Sequence, residues 1–182
     1  MAMKTRAELL MLQAQINPHF LYNTLEAINL KSLKSGNTDI SAMVSALADL
    51  FRYSVSKGTD FVPLEKELNH VANYVKIQQF RFGHSFALEF DIPDHLKNAN
   101  VMKFCLQPIV ENSIKHGFAG WDSGGLIRIT VSETDQRIQL SISDNGAGMD
   151  QQKLEQLTAG LDGDFEGAAT EDRGIGLINV YQ

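Results

Sequence analysis

Apolar residues early in the chain recur at steps of three and four, at Leu9, Leu12, Ile16 and Phe20, then at Leu21, Leu25 and Ile28. That spacing predicts a helix from about residue 5 to residue 33, with Pro18 in its middle. Proline lacks an N–H and clashes with the carbonyl four residues back, so the helix must either kink or restart there. Asn17 and Pro18 are the cap and first-turn residues a restart would use. After the polar break at residues 34–39, a second stripe runs through Ile40, Met43, Val44, Leu47, Leu50, Phe51 and Val55, the cleanest helical pattern in the chain. Two such helices joined by a turn containing Gly36 and Asn37 predict an antiparallel hairpin. A lone hairpin leaves one apolar face open, and a second copy completing a four-helix bundle would cover it. A homodimer through this region is expected.

The texture changes near residue 60. Pro63 is expected to open a third helix, with Leu64, Leu68, Val71 and Val75 in register and Glu65 and Glu67 suiting its N-terminal dipole, ending near Gly83. "FALEFDI" alternates Phe86, Leu88 and Phe90 as a half-buried strand, and "FCLQPIVENSIKHGF" returns to helical spacing. "LIRITVS" and "RIQLSIS" then alternate apolar and polar residues on either side of a short polar turn, which predicts an antiparallel hairpin. Helices on one face of a mixed or antiparallel sheet make this part α+β. The expected division is a helical hairpin over 1–58 and an α+β domain over 59–182. Residues 160–174 are polar, acidic and glycine-rich and read as a mobile loop.

Composition narrows the function. A net charge of -6 lacks the basic face that a nucleic-acid binder needs. The single cysteine, Cys105, rules out an internal disulfide and fits a reducing compartment, where its apolar neighbours suggest a buried, inert thiol. No apolar run approaches the length of a membrane span. His70, His84 and His95 lack partners at metal-ligand spacing and read as surface residues.

Three short constellations carry candidate chemistry. In "ENSIKH", Asn112, Lys115 and His116 fall at i, i+3 and i+4, on one helical face. An amide oxygen able to ligate Mg²⁺ beside a lysine suits a polyphosphate, although the same pattern describes a solvated helix face. In "DNGAGM", Gly146 and Gly148 permit a sharp turn and close approach of a flat ligand, and Asp144 could accept from an exocyclic amine. Taken singly, it is also an ordinary turn. In "DRGIGL", Gly174 and Gly176 precede an apolar helical start, where free N–H groups face an anion.

Together and in this order, the three motifs and the glycine-rich loop resemble the N box, G1 box, lid and G2 box of the GHKL (Bergerat-fold) ATP-binding superfamily. "QINPHFLYNTL", "LADLFRYSV", "VPLEKELNHVANYVKIQQFRFG" and "LQPIVENSIKHG" further resemble LytS/YehU-type sensor histidine kinases over almost the whole chain. The resemblance implies a protein-histidine kinase of a two-component system. His19 would be phosphorylated by ATP and Mg²⁺ and would pass the phosphoryl group to an aspartate on a response-regulator receiver domain. Histidine as a residue type is substantially neutral near pH 7, so it offers a lone pair without special tuning. Asn112 would hold Mg²⁺, Lys115 and His116 would lie near the phosphates, and Asp144 would read adenine. Gly146 and Gly148 would line the pocket and Met149 would touch the purine, while the backbone at Gly174, Gly176 and Leu177, with Arg173, would meet the phosphate end. Glu111 is the remaining carboxylate for a base or a Mg²⁺-supporting role. A non-catalytic nucleotide-binding and dimerisation module is the alternative.

The residues also depart from the wider superfamily. Phe20, not an acidic residue, follows His19, which leaves Asn23 at i+4 as the nearest polar partner. Pro108 stands four before Asn112, where ATP-hydrolysing relatives carry a glutamate, which disfavours a gyrase-like ATPase. The expected domain lacks its last elements after "GIGLINVYQ", and the parent protein is expected to be membrane-anchored through segments absent here, with this portion cytoplasmic.

Overall fold

A computed structural model describes residues 18–56, 60–83, 85–134, 137–152 and 154–155. The chain divides into two compact units, Met1–Lys57 and Gly58–Gln182.

The first unit is a helical hairpin of α1 (Pro18–Lys34) and α2 (Thr38–Val55). Whether the chain kinks or restarts at Pro18 lies outside the described residues. The turn works through Gly36, whose φ of 69° is a conformation glycine adopts without a Cβ penalty. Asn37 donates its backbone N–H to the Ser32 carbonyl at 2.9 Å, and its side chain accepts from the Ile40 amide to cap α2. Small residues fill the seam between the helices: Ser32, Ser41, Val44 and Ala46 are buried, and Ser41 Oγ donates to Asn29 Oδ1 at 2.6 Å. Several larger apolar residues face outward, with Phe20 66% exposed and Leu30 and Leu33 each 53% exposed.

The second unit is α+β, as the pattern predicts. β1 (Phe61–Pro63) pairs antiparallel with β3 (Asn100–Met102), and α3 (Leu64–Arg81) follows β1 directly. β2 (Phe86–Asp91) lies parallel to β4 (Gly125–Thr134), which pairs antiparallel with β5 (Arg137–Asp144), so the second sheet is mixed with the order β2-β4-β5. Between β3 and β4 run α4 (Gln107–Asn112) and a π-helical segment, Ser113–Gly117. The core joins Leu64, Leu68, Val71 and Val75 of α3 to Val110 and Ile114, and to Phe86, Ile127, Ile129 and Val131 of the sheet. Ile138, Leu140 and Ile142 of β5 pack against the same cluster. Each fully buried aliphatic side chain contributes about 1.5–3 kcal/mol, so this alternating face is what holds helices to sheet.

Several expectations need correction. Pro63 ends β1 and caps α3 instead of occupying its first turn, and the leading N–H groups of Leu64 and Glu65 donate to the carbonyls of Ala99 and Lys97. Phe90 is 42% exposed, so β2 buries only its first half. His70 is buried, not a surface residue, because α3 turns it toward Gln107, whose side-chain oxygen lies 2.6 Å from Nε2. Glu67 is fully buried as well.

Candidate functional site

The π-helical segment brings two of the predicted motifs together. Ser113 Oγ donates to Asp144 Oδ2 at 2.7 Å, and the Gly146 amide donates to Asp144 Oδ1 at 3.0 Å. The Asp144 carboxylate is thereby fixed in direction yet remains exposed, with acceptor capacity for a further donor. Gly146 lies against Gly117 so closely that a Cβ would stand 2.5 Å from the Gly117 carbonyl oxygen, and Ala147 N donates to that same oxygen at 2.9 Å. Only glycine allows this backbone-on-backbone contact. Gly148 has a φ of 69° with open space around it, which suits a turn, and Met149 is 54% exposed.

Asn112 is the last α-helical residue before the π segment, and its Nδ2 is buried without a hydrogen-bond partner. A buried polar arm left unmatched by its own chain costs about 1–3 kcal/mol, and an oxygen-rich ligand would remove that cost. The expected single face of Asn112, Lys115 and His116 requires correction. In a π turn the backbone bond joins residues i and i+5 instead of i and i+4, so the α-helical spacing that put the three on one face does not hold through Ser113–Gly117. Lys115 and His116 are both exposed. Glu111 is also exposed, and its charge, after the larger effect of burial, helps push the Tyr74 hydroxyl up to about 12.

In the hairpin unit, His19 is exposed on α1, and Asn23 Nδ2 lies 3.3 Å from its Nδ1. The partner one turn on is therefore present. Arg173, Gly174, Gly176 and Leu177 lie outside the described residues.

Two family models match the chain in sequence. One, histidine kinase, covers residues 7–86, and the other, histidine kinase-, DNA gyrase B- and HSP90-like ATPase, covers residues 98–182. By these two matches the chain carries the two sequence regions of a histidine kinase. Its curated relatives include the sensor histidine kinase YesM of Bacillus subtilis, 38% identical over 96% of this chain and 28% of that protein. The sensor histidine kinase YpdA of Escherichia coli is 32% identical over 98% of this chain and 30% of that protein. The sensor protein LytS of Bacillus cereus is 33% identical over 97% and 29%. The chain thus spans less than a third of the length of these relatives. No helix among its described residues is long and apolar enough to cross a membrane.

Sequence reasoning missed three residues that build the candidate site. Ser113 anchors Asp144, and the only available signal was a hydroxyl directly after Asn112 in the same motif. Asn145 fastens the "DNG" loop to β4, accepting from the Leu126 amide at 2.7 Å and donating to the Gly124 carbonyl at 3.0 Å. Gly117 is the flat surface against which Gly146 rests.

Proposed function

We propose that this chain is the phosphoacceptor and ATP-binding part of a two-component sensor histidine kinase, which phosphorylates His19 from Mg-ATP and hands the phosphoryl group to an aspartate of a response-regulator receiver domain. The observation that carries the reading is the pairing of adjacent residues. Asn112 keeps a buried Nδ2 donor without a partner, suited to a phosphate oxygen, while Ser113 holds the exposed Asp144 carboxylate. Two ends of one ligand are addressed from a single turn of chain. Asp144 suits the exocyclic amine of adenine, with Gly146, Gly148 and Met149 around the base. Asn112 suits the phosphate end, where its amide oxygen would ligate Mg²⁺. Among the described residues no three His, Cys, Asp or Glu side chains gather to hold a metal. A cation here would therefore depend on ligand phosphates for much of its coordination, as Mg²⁺ commonly does. His116, Lys115 and, from the G2 motif, Arg173, Gly174, Gly176 and Leu177 are assigned to the phosphates.

Bound Mg-ATP supplies the γ-phosphoryl group and the neutralisation of its charge. A ring nitrogen of His19 forms the new N–P bond as the bond from phosphorus to the β,γ-bridging oxygen breaks and ADP leaves. The proton on the other ring nitrogen is then lost, and Glu111 is assigned to accept a proton or support the cation. Asn23 orients the imidazole. The outward apolar residues of the hairpin, Phe20, Leu30 and Leu33, are assigned to a homodimer interface in a four-helix bundle.

The test is incubation with γ-labelled ATP and Mg²⁺. An acid-labile label on the wild type and none on His19→Gln is expected, and equal labelling of both would overturn the reading. ATP binding without phosphohistidine would select a non-catalytic nucleotide-binding module.

A further inference from the structure

Glu67 and His70, one turn apart on α3, both reach the stretch that leads into α4. Glu67 Oε1 accepts from the Phe104 amide at 2.6 Å, Oε2 accepts from the Leu106 amide at 3.4 Å, and Cys105 Sγ lies 3.9 Å from Oε2. Phe104 has a φ of 64°, a left-handed conformation that L side chains seldom adopt unless held, and Leu106 is right-handed. The Phe104 and Leu106 N–H groups on either side of Cys105 converge on one carboxylate, while the Cys105 N–H turns back to the Met102 carbonyl. His70 adds Nε2 at 2.6 Å from Gln107 Oε1 and an edge-on contact between its ring and Phe104, with ring centres 5.3 Å apart.

The geometry points to Glu67 as a positioning residue for the nucleotide site: its buried carboxylate holds the left-handed turn at Phe104 and so sets where α4 presents Asn112. The inference rests on the reading above, in which Asn112 meets the Mg-phosphate end. α4 has only six α-helical residues, too few to hold a position by its own backbone bonds. Its register is therefore set by whatever grips its first turn, and Asn112 follows Gln107 by about one and a half turns. A carboxylate is needed at Glu67 because it presents two acceptor oxygens to two backbone donors. A glutamine would turn an N–H₂ toward one of them. Asp144 has independent anchors in β5 and in the Gly146 amide, so the adenine end depends less on this grip.

The experiment compares the full chain with its Glu67→Gln variant by calorimetric titration with a non-hydrolysable ATP analogue plus Mg²⁺, and separately with adenosine. Affinity for the Mg-analogue should fall about tenfold or more, in line with the loss of a charge-assisted hydrogen bond, while adenosine affinity changes much less. The amide proton resonances of Phe104 and Leu106 should move upfield. Unchanged Mg-analogue affinity, or equal losses for both ligands, overturns the inference. If Glu67→Gln fails to fold, Gln107→Leu removes the His70 grip and leaves the carboxylate in place. It should lower Mg-analogue affinity selectively, and no selective loss there also overturns the inference. A wild type that binds neither ligand would instead sink the nucleotide reading itself.

Discussion

Replacing Gly146 by alanine tests the site at its tightest point. The new Cβ would stand 2.5 Å from the Gly117 oxygen and 2.6 Å from its carbonyl carbon and Cα, all backbone atoms that cannot rotate aside. Ordinary contact begins at 3.4 Å, so the loop must withdraw by about 0.9 Å. The Ala147 amide, now 2.9 Å from the same oxygen, would then move beyond hydrogen-bonding range. Overpacking costs about 1–3 kcal/mol and the lost bond about 1 kcal/mol, which places the cost of keeping the present loop position at roughly 2–4 kcal/mol. If nucleotide binds only that position, affinity should drop by a factor of about 30 to 1,000. Gly148→Ala is the control. Its Cβ meets nothing within 4 Å and bears only the left-handed backbone penalty of about 1–2 kcal/mol, so its effect on affinity should be well below that of Gly146→Ala. Fluorescent-nucleotide titration, with thermal melts of each variant, reads both. Gly146→Ala binding within threefold of wild type would refute the argument that this contact shapes the pocket.

Burial holds the His70 imidazole below its usual range, outweighing the raising effects of Gln107 and Glu67. The folded state therefore binds fewer protons there than the unfolded chain, so the stability contribution is full above about pH 6.5 and is lost as pH falls through the lowered folded value. His70→Gln should flatten that part of the stability-against-pH curve in denaturant titrations, and an unchanged curve would contradict it. Burial and the nearby Glu67 charge push the Cys105 thiol up to about 12, against an ordinary 9.0. Alkylation of the folded chain at pH 8 should run about a thousandfold slower than for a free thiol, and a rate near the free-thiol value would show that Cys105 is not so enclosed. Asn23→Ala should slow phosphorylation of His19 severalfold in a labelled-ATP assay while nucleotide affinity stays constant. A matching fall in affinity would assign Asn23 to the fold.

The elements legible in the sequence were those whose periodicity outlasts noise. Ile127, Ile129 and Val131 alternate inward along β4, and the stripe of α3 carries Leu64, Leu68, Val71 and Val75 into the core. The Asn23 contact with His19 was legible because i+4 spacing on a helix needs no long-range information. β1 and β3 were not, since three residues each cannot show alternation. The π segment was misread because a wider turn uses the same residue types as an α-helix. Glu67 and His70 look like solvated residues in isolation, and the partners that bury them lie 37 residues away. Ser113 shows its role only once β5 delivers Asp144 beside it.

The parallel pairing of β2 with β4 bears on the order of events during folding. β4 and β5 are only two residues apart in sequence, so their pairing closes quickly, whereas β2 can join only after the long stretch between Asp91 and Gly125 has looped back. Asn112, Ser113 and Gly117 all sit inside that loop. The hairpin should therefore form first and the ligand-competent pocket last, so that during refolding the sheet signal precedes recovery of nucleotide binding. A binding signal rising in step with the hairpin would show that the loop organises before it is closed.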